Sequence, residues 1–134
     1  MTEMTDYTTA VLSAADALVT AFGRHDTKAY FDAFSPSATF IFYNLNRTLA
    51  NRAAYEAEWA LWESRDGFRV KACRSKNRSV QLFGDIAIFA HAVETDLSIG
   101  GENVTNYERE TIVFARQPHG QWLAVHEHLS QLLS

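Results

Sequence analysis

Glu110 and Glu127 are the residues of this chain whose type and spacing best suit chemistry. They lie on two stretches within 107–130 that read as strands, on either side of Gln117-Pro118-His119-Gly120, which reads as a tight hairpin turn. If Gln117 pairs with Gly120, Glu110 stands directly opposite Glu127 on one face of the sheet. Arg109 then faces His128, and Thr111 faces His126, on the other. Like charges opposed across a strand pair repel. Such a pair is therefore either bathed in water or held where sharing a proton is useful. In a cavity walled by Phe40, Phe42, Trp59 and Val125, loss of hydration raises a carboxyl's pKa, and a second carboxyl raises it further. Two carboxyls so placed act as general acid and base near neutral pH. Glu94 is a third candidate for the same acidic floor. The competing reading leaves the acids at an open edge, hydrated or paired with an arginine such as Arg52 or Arg69.

His126-x-His128 sets two imidazoles on one strand face, about 7 Å apart at Cα. With His91 they make a conceivable metal set. No carboxylate or thiol is placed beside them, so packing at an interface is the preferred reading and no metal is expected. Cys73, the single cysteine, excludes an internal disulfide and reads as a buried or half-buried strand residue despite Lys71 and Arg74 nearby. A phosphate loop, nucleophile elbow, zinc motif and dinucleotide fingerprint are all absent, so no cofactor is expected.

These groups must be positioned by the elements around them. Val11, Ala14, Ala15, Leu18, Ala21 and Phe22 recur at helical spacing from Thr8 to about Arg24, with Asp6 or Thr8 as cap. His25-Asp26 breaks that helix, and Asp26 caps a short second one carrying Tyr30, Phe31 and Phe34, stopped by Pro36. Ala38 to Tyr43 reads as a strand and Asn44 to Asn46 as a turn. Asn51 opens a third helix with Tyr55, Trp59 and Trp62 along one stripe, ended by Asp66-Gly67. That stripe is mostly core, with part of it walling a pocket. Four long strands follow at about 68–83, 86–97, 104–116 and 121–129.

Helices first and antiparallel strands after predict one α+β domain over 1–134, with helices packed on the concave face of a curved antiparallel sheet. The 134 residues are 47% hydrophobic and 13% aromatic, enough for a real core. A net charge of −4 without basic clusters argues against nucleic acid. No apolar run approaches the ~20 residues that span a bilayer. A reducing, cytoplasmic setting is expected. The stretch from Ile86 to Val93 is apolar on both alternating faces. Helices can cover only one of these, so a second copy is expected to cover the other.

The order of elements, together with two motifs, resembles the nuclear transport factor 2-like superfamily, which includes ketosteroid isomerases, SnoaL-like cyclases, scytalone dehydratases and kinase association domains. One motif is His25-Asp26…Phe31…Phe34-Ser35-Pro36-Ser37-Ala38-Thr39-Phe40. The other is Arg109-x-Thr111…Gly120-x-Trp122…His126-x-His128-x-Ser130. The resemblance spans nearly the whole chain and implies a cone-shaped fold. It also implies that Phe40, Phe42, Asn44, Ala90, Ala92, Glu94, Asp96, Glu110, Ile112, Phe114, Leu123, Val125, Glu127 and Leu129 point inward. His91, Arg109, Trp122, His126 and His128 then face a dimer partner. The isomerases' oxyanion acid, base and tyrosine fall at Ile112, Phe42 and Leu18, so that machinery is not carried over. Pocket arginines of the association domains fall at Leu129 and Ile112.

The expected function is a pocket for a small, largely apolar organic molecule, with Glu127 and Glu110 as candidate catalytic groups. Asn44, Phe42, Phe40, Tyr55, Trp59, Glu94, Ile112, Val125 and Leu129 are the expected ligand contacts. The implied chemistry is cofactor-free isomerisation, cyclisation, dehydration or hydration. The alternative is a non-catalytic association domain with a vestigial pocket.

Overall fold

The computed structural model describes residues 2–132. In it α1 (Thr2–Gly23), α2 (Thr27–Asp32), β1 (Phe34–Phe42), α3 (Arg52–Asp66), β2 (Arg69–Phe83), β3 (Ile86–Ile99), β4 (Glu102–Arg116) and β5 (Trp122–Gln131) follow in order. The five strands form one curved sheet in the order β1-β5-β4-β3-β2. The three helices pack against it, so the molecule is an α+β cone.

Helix α1 buries Val11, Ala15, Leu18 and Ala21, the stripe expected of a 3.6-residue period. It begins earlier than its apolar pattern suggested, so Asp6 and Thr8 lie inside it and neither caps it. Its upper turns have a purpose in packing: Tyr7 meets Trp122 edge-on at 5.6 Å. His25 turns the chain with φ at 54°, and its Nδ1 accepts the Val70 N–H at 2.9 Å. Asp26 then caps α2 by accepting the Ala29 N–H at 3.2 Å. The helix closes at Asp32, before Phe34 and well before Pro36. Both residues belong to β1, an edge strand whose ladder to β5 is interrupted between Phe34 and Thr39. A proline lacking its N–H is tolerated in such a place. Asn51 caps α3 by accepting the Ala54 N–H at 2.8 Å, and left-handed Gly67 (φ 64°) ends it.

The sheet is mixed rather than purely antiparallel, because β1 runs parallel to β5 while β2 to β5 alternate in direction. The hairpin between β4 and β5 also differs from expectation. The Gly120 N–H does bond the Gln117 carbonyl at 2.8 Å, but the strands close one residue later, with the Gln117 N–H on the Gln121 carbonyl at 2.7 Å. A bulge adds a second offset, since Val113 pairs with His126 and Phe114 with Ala124, leaving Val125 unpaired. Glu110 therefore lies opposite Leu129, Glu127 opposite Ile112, Thr111 opposite His128 and Arg109 opposite Ser130. Two one-residue offsets restore the pleat's period of two, so both glutamates keep the same face.

Two expectations of side-chain direction fail. On β3 the buried residues are Ala87, Phe89, His91, Val93, Thr95 and Leu97, not Ala90, Ala92, Glu94 and Asp96. Pairing of His91 with Glu110 dictates this face. On β5 the bulge inverts the alternation, so Trp122 and Ala124 are buried while Leu123 and Val125 lie outside. The core is completed by Trp59, Phe34, Phe40, Phe89, Phe114 and Ile112, all but fully buried. Each such side chain contributes about 1.5–3 kcal/mol by leaving water.

Candidate functional site

Between the helices and the inner face of the sheet lies a cavity of about 460 Å³. Phe22, Tyr30, Phe42, Tyr55, Trp62 and Phe68 wall it, and Glu108, Glu110 and Glu127 enter it from the sheet. Each wall residue is delivered by local structure already described. The α3 stripe brings Tyr55 and Trp62, the capped turn of α2 brings Tyr30, and the end of β1 brings Phe42. Glu108 and Glu110 share a face because they are two apart on β4.

A single hydrogen-bonded chain crosses the inner end of this cavity. The Tyr30 and Tyr55 hydroxyls are 2.9 Å apart, and Tyr30 donates to Glu127 Oε1 at 3.4 Å. Glu127 and Glu110 share a side-chain hydrogen bond. Glu110 Oε1 lies 2.7 Å from His91 Nε2, and His91 Nδ1 lies 2.6 Å from Ser75 Oγ. Since Tyr30 donates to Glu127, Tyr55 donates to Tyr30. Burial holds both phenols well above their ordinary range, so they remain donors.

The two carboxyls titrate apart for physical reasons. Burial pushes Glu127 well above the usual range, and the Glu110 charge and the hydrogen bond between them push it further. Burial also pushes Glu110 upward, but hydrogen bonds from Glu127 and His91 outweigh it and leave Glu110 lowered. These opposite directions favour one proton shared by the pair, with Glu127 as its holder. Glu108 is raised by burial, opposed by the Tyr43 hydroxyl that donates to it at 2.5 Å. Cys73, which lines the same cavity, is pushed up to about 12 by burial and stays a thiol.

The exposed part of the lining is charged but balanced. Arg47 pairs with Glu58, and Arg65 holds Asp66 through two bonds of 2.8 Å. Arg52, a proposed partner of the acids, instead donates to the Phe34 carbonyl at 2.9 Å. No group of three or more His, Cys, Asp or Glu among the described residues is placed to hold a metal ion.

Of the residues singled out in the sequence, Glu110, Glu127, Asn44, Phe42, Tyr55 and Leu129 line the cavity. Phe40, Trp59 and Ile112 are buried in the core behind that lining. Val125 sits at the bulge, away from the cavity. Glu94 is on the opposite face, where Arg74 and Lys76 hold it at 3.1 and 2.6 Å. His91 and Trp122, assigned to an outer interface, are buried inside. Arg109 and His128 do lie along an outer-face groove with Thr111 and Ser130. Sequence reasoning missed Tyr30, Tyr43 and Glu108 as cavity residues. Alternation along β4 was a sufficient signal for Glu108, two residues before Glu110. Tyr30 had none, because its partners come from α3 and β5.

A family model for the SnoaL-like domain matches residues 11–134. Among solved structures, a ketosteroid isomerase-like protein from Erwinia carotovora atroseptica superposes with a TM-score of 0.78 at 19% identity, covering 94% of this chain and 96% of that one. An NTF2-like protein of unknown function in nutrient uptake from Rhodospirillum rubrum gives 0.77 at 18%, covering 92% and 98%. The CaMKII hub of S. rosetta gives 0.73 at 22%, covering 92% and 95%. These likenesses show the fold. No curated protein matches the sequence. Among the described residues, no helix is long and apolar enough to cross a membrane.

Proposed function

We propose that this chain, which belongs to the SnoaL-like domain family, binds a small, largely apolar organic molecule in the cone and moves a proton on it with Glu127 and Glu110. The observation that carries the reading is the Glu110–Glu127 carboxyl pair at the inner end of an aromatic cavity, its two members shifted in opposite directions by burial and by their partners. Glu110 is suited to accept a proton and Glu127 to return one, which is what a cofactor-free isomerisation, cyclisation or dehydration requires. Asn44 and Tyr43 supply polar contacts nearer the surface. The arginines of the lining are already paired with acids, so a ligand bearing a hydroxyl or carbonyl suits the site better than an anion.

2-Naphthol tests this reading, being neutral, aromatic and a strong acid when excited. It is expected to bind saturably, quenching tryptophan, and to emit as naphtholate because Glu110 accepts its proton. In Glu110→Gln the bound probe is expected to emit as neutral naphthol. Absence of saturable binding, or identical emission from both proteins, contradicts the reading. The alternative, an association domain without catalysis, is supported by the fold likeness to the hub and predicts assemblies larger than a dimer.

A further inference from the structure

The proton-handling reading needs the two carboxyls to differ, and within the pair alone nothing makes them differ: both are glutamates, on adjacent strands, on one face. The groups around them break the symmetry. Glu127 receives one outside donor, the Tyr30 hydroxyl, at a long 3.4 Å. Glu110 faces His91 Nε2 at 2.7 Å, and the His91 side chain is 0% exposed. No lysine or arginine pairs with either carboxyl among the described residues. Among the described residues His91 is therefore the one group beside the pair that can carry positive charge or present a short donor.

We propose that His91 is a positioning residue of the carboxyl pair, which through Nε2 holds Glu110 as the charged partner and leaves the transferable proton on Glu127. The proposal rests on the proton-handling reading above. A charged carboxylate only accepts hydrogen bonds, so the nitrogen facing it must bear hydrogen. Ser75 fits this requirement from the other side. Its hydroxyl lies 2.6 Å from Nδ1 and both donates and accepts, so it satisfies a neutral ring by donating and a protonated ring by accepting. The ring thus keeps its orientation in either charge state, as outer partners do for other working histidines.

The remaining surroundings do not compete for the role. On β3 the Phe89 ring packs 4.7 Å from the imidazole. From β2 come Ser75 and the neutral Cys73 thiol. Arg78 lies over Phe89 and is held by Asp16 of α1 at 2.7 Å. From β4 and β5 come Glu108, Glu110 and Glu127, with Tyr30 and Tyr55 from the helices.

The test is a carboxyl 13C NMR titration of the full chain labelled at glutamate, assigned with Glu110→Gln and Glu127→Gln. In the wild type Glu110 is expected to ionise first. In His91→Leu its midpoint is expected to rise by about one pH unit or more, a tenfold gain in proton affinity. His91→Gln, which keeps a neutral donor, is expected to recover part of that change. A wild-type difference that persists undiminished in His91→Leu overturns this proposal alone. Two glutamates titrating together at about 4.3 in the wild type overturn the proton-handling reading as well. If His91→Leu does not fold, the 15N spectrum of the wild-type imidazole decides. Hydrogen on Nε2 supports the assignment, and a bare Nε2 with hydrogen on Nδ1 overturns it.

Discussion

Glu127 is a carboxyl that the fold prefers neutral, and this has a consequence for stability. A native pKa raised above the unfolded one means the folded chain holds the proton more tightly. The associated stability is fully present below the unfolded value of 4.5 and is lost as pH rises through the raised native value. Glu110 runs the other way: its contribution is present above 4.5 and lost as pH falls through its lowered value. Above 4.5 Glu127 acts together with Glu108, whose carboxyl burial also raises, and the lowered His126 imidazole opposes them. The Glu127 share is expected to lower wild-type stability by up to about 1.4 kcal/mol per pH unit until that group ionises. Glu127→Gln, which mimics the protonated acid, is expected to lose that share and show a shallower slope. Urea unfolding at several values between about pH 5 and 8 measures it, and parallel slopes for the two proteins contradict the assignment. At this scale the sequence made Glu110 and Glu127 visible, because the turn at 117–120 sets them on one face of a hairpin. It hid His91 inside the same site, since a histidine among alanines carries no sign of which way it points.

Elements were legible wherever local chemistry decides them. Asp26 and Asn51 cap the helices expected of them, and Gly67 ends α3 with a left-handed residue. Strand direction and register were not legible, because they depend on partners far away in the chain. The parallel pairing of β1 with β5 joins residues almost ninety positions apart, such as Thr39 and His126. β3 offered two apolar faces, so its alternation could not choose between them. Only pairing with β4 settled that His91 rather than Glu94 turns inward. The Val125 bulge left no local mark at all, yet it sends Trp122 into the core. The glutamate pair survived these errors because the longer turn and the bulge together moved the register by two.

For the whole molecule, the cone divides the work between its faces. The inner face carries the cavity, and the outer face carries Arg109, His128, Thr111 and Ser130 along a groove, with partly exposed Ile41 and Ile86. We propose that two copies pair through this outer face. Sedimentation of the purified chain is then expected to give twice the 15.1 kDa chain mass. A monomer contradicts the pairing, and a larger ring favours the association-domain alternative. The pairing of copies is separate from the arrangement of Glu110 and Glu127 inside the cavity. A residue-resolved carboxyl titration of the unmodified protein tests that arrangement most directly. Glu127 is expected to keep its proton at a pH where Glu110 has already lost its own. Equal midpoints near the free-glutamate value of about 4.3 would contradict it.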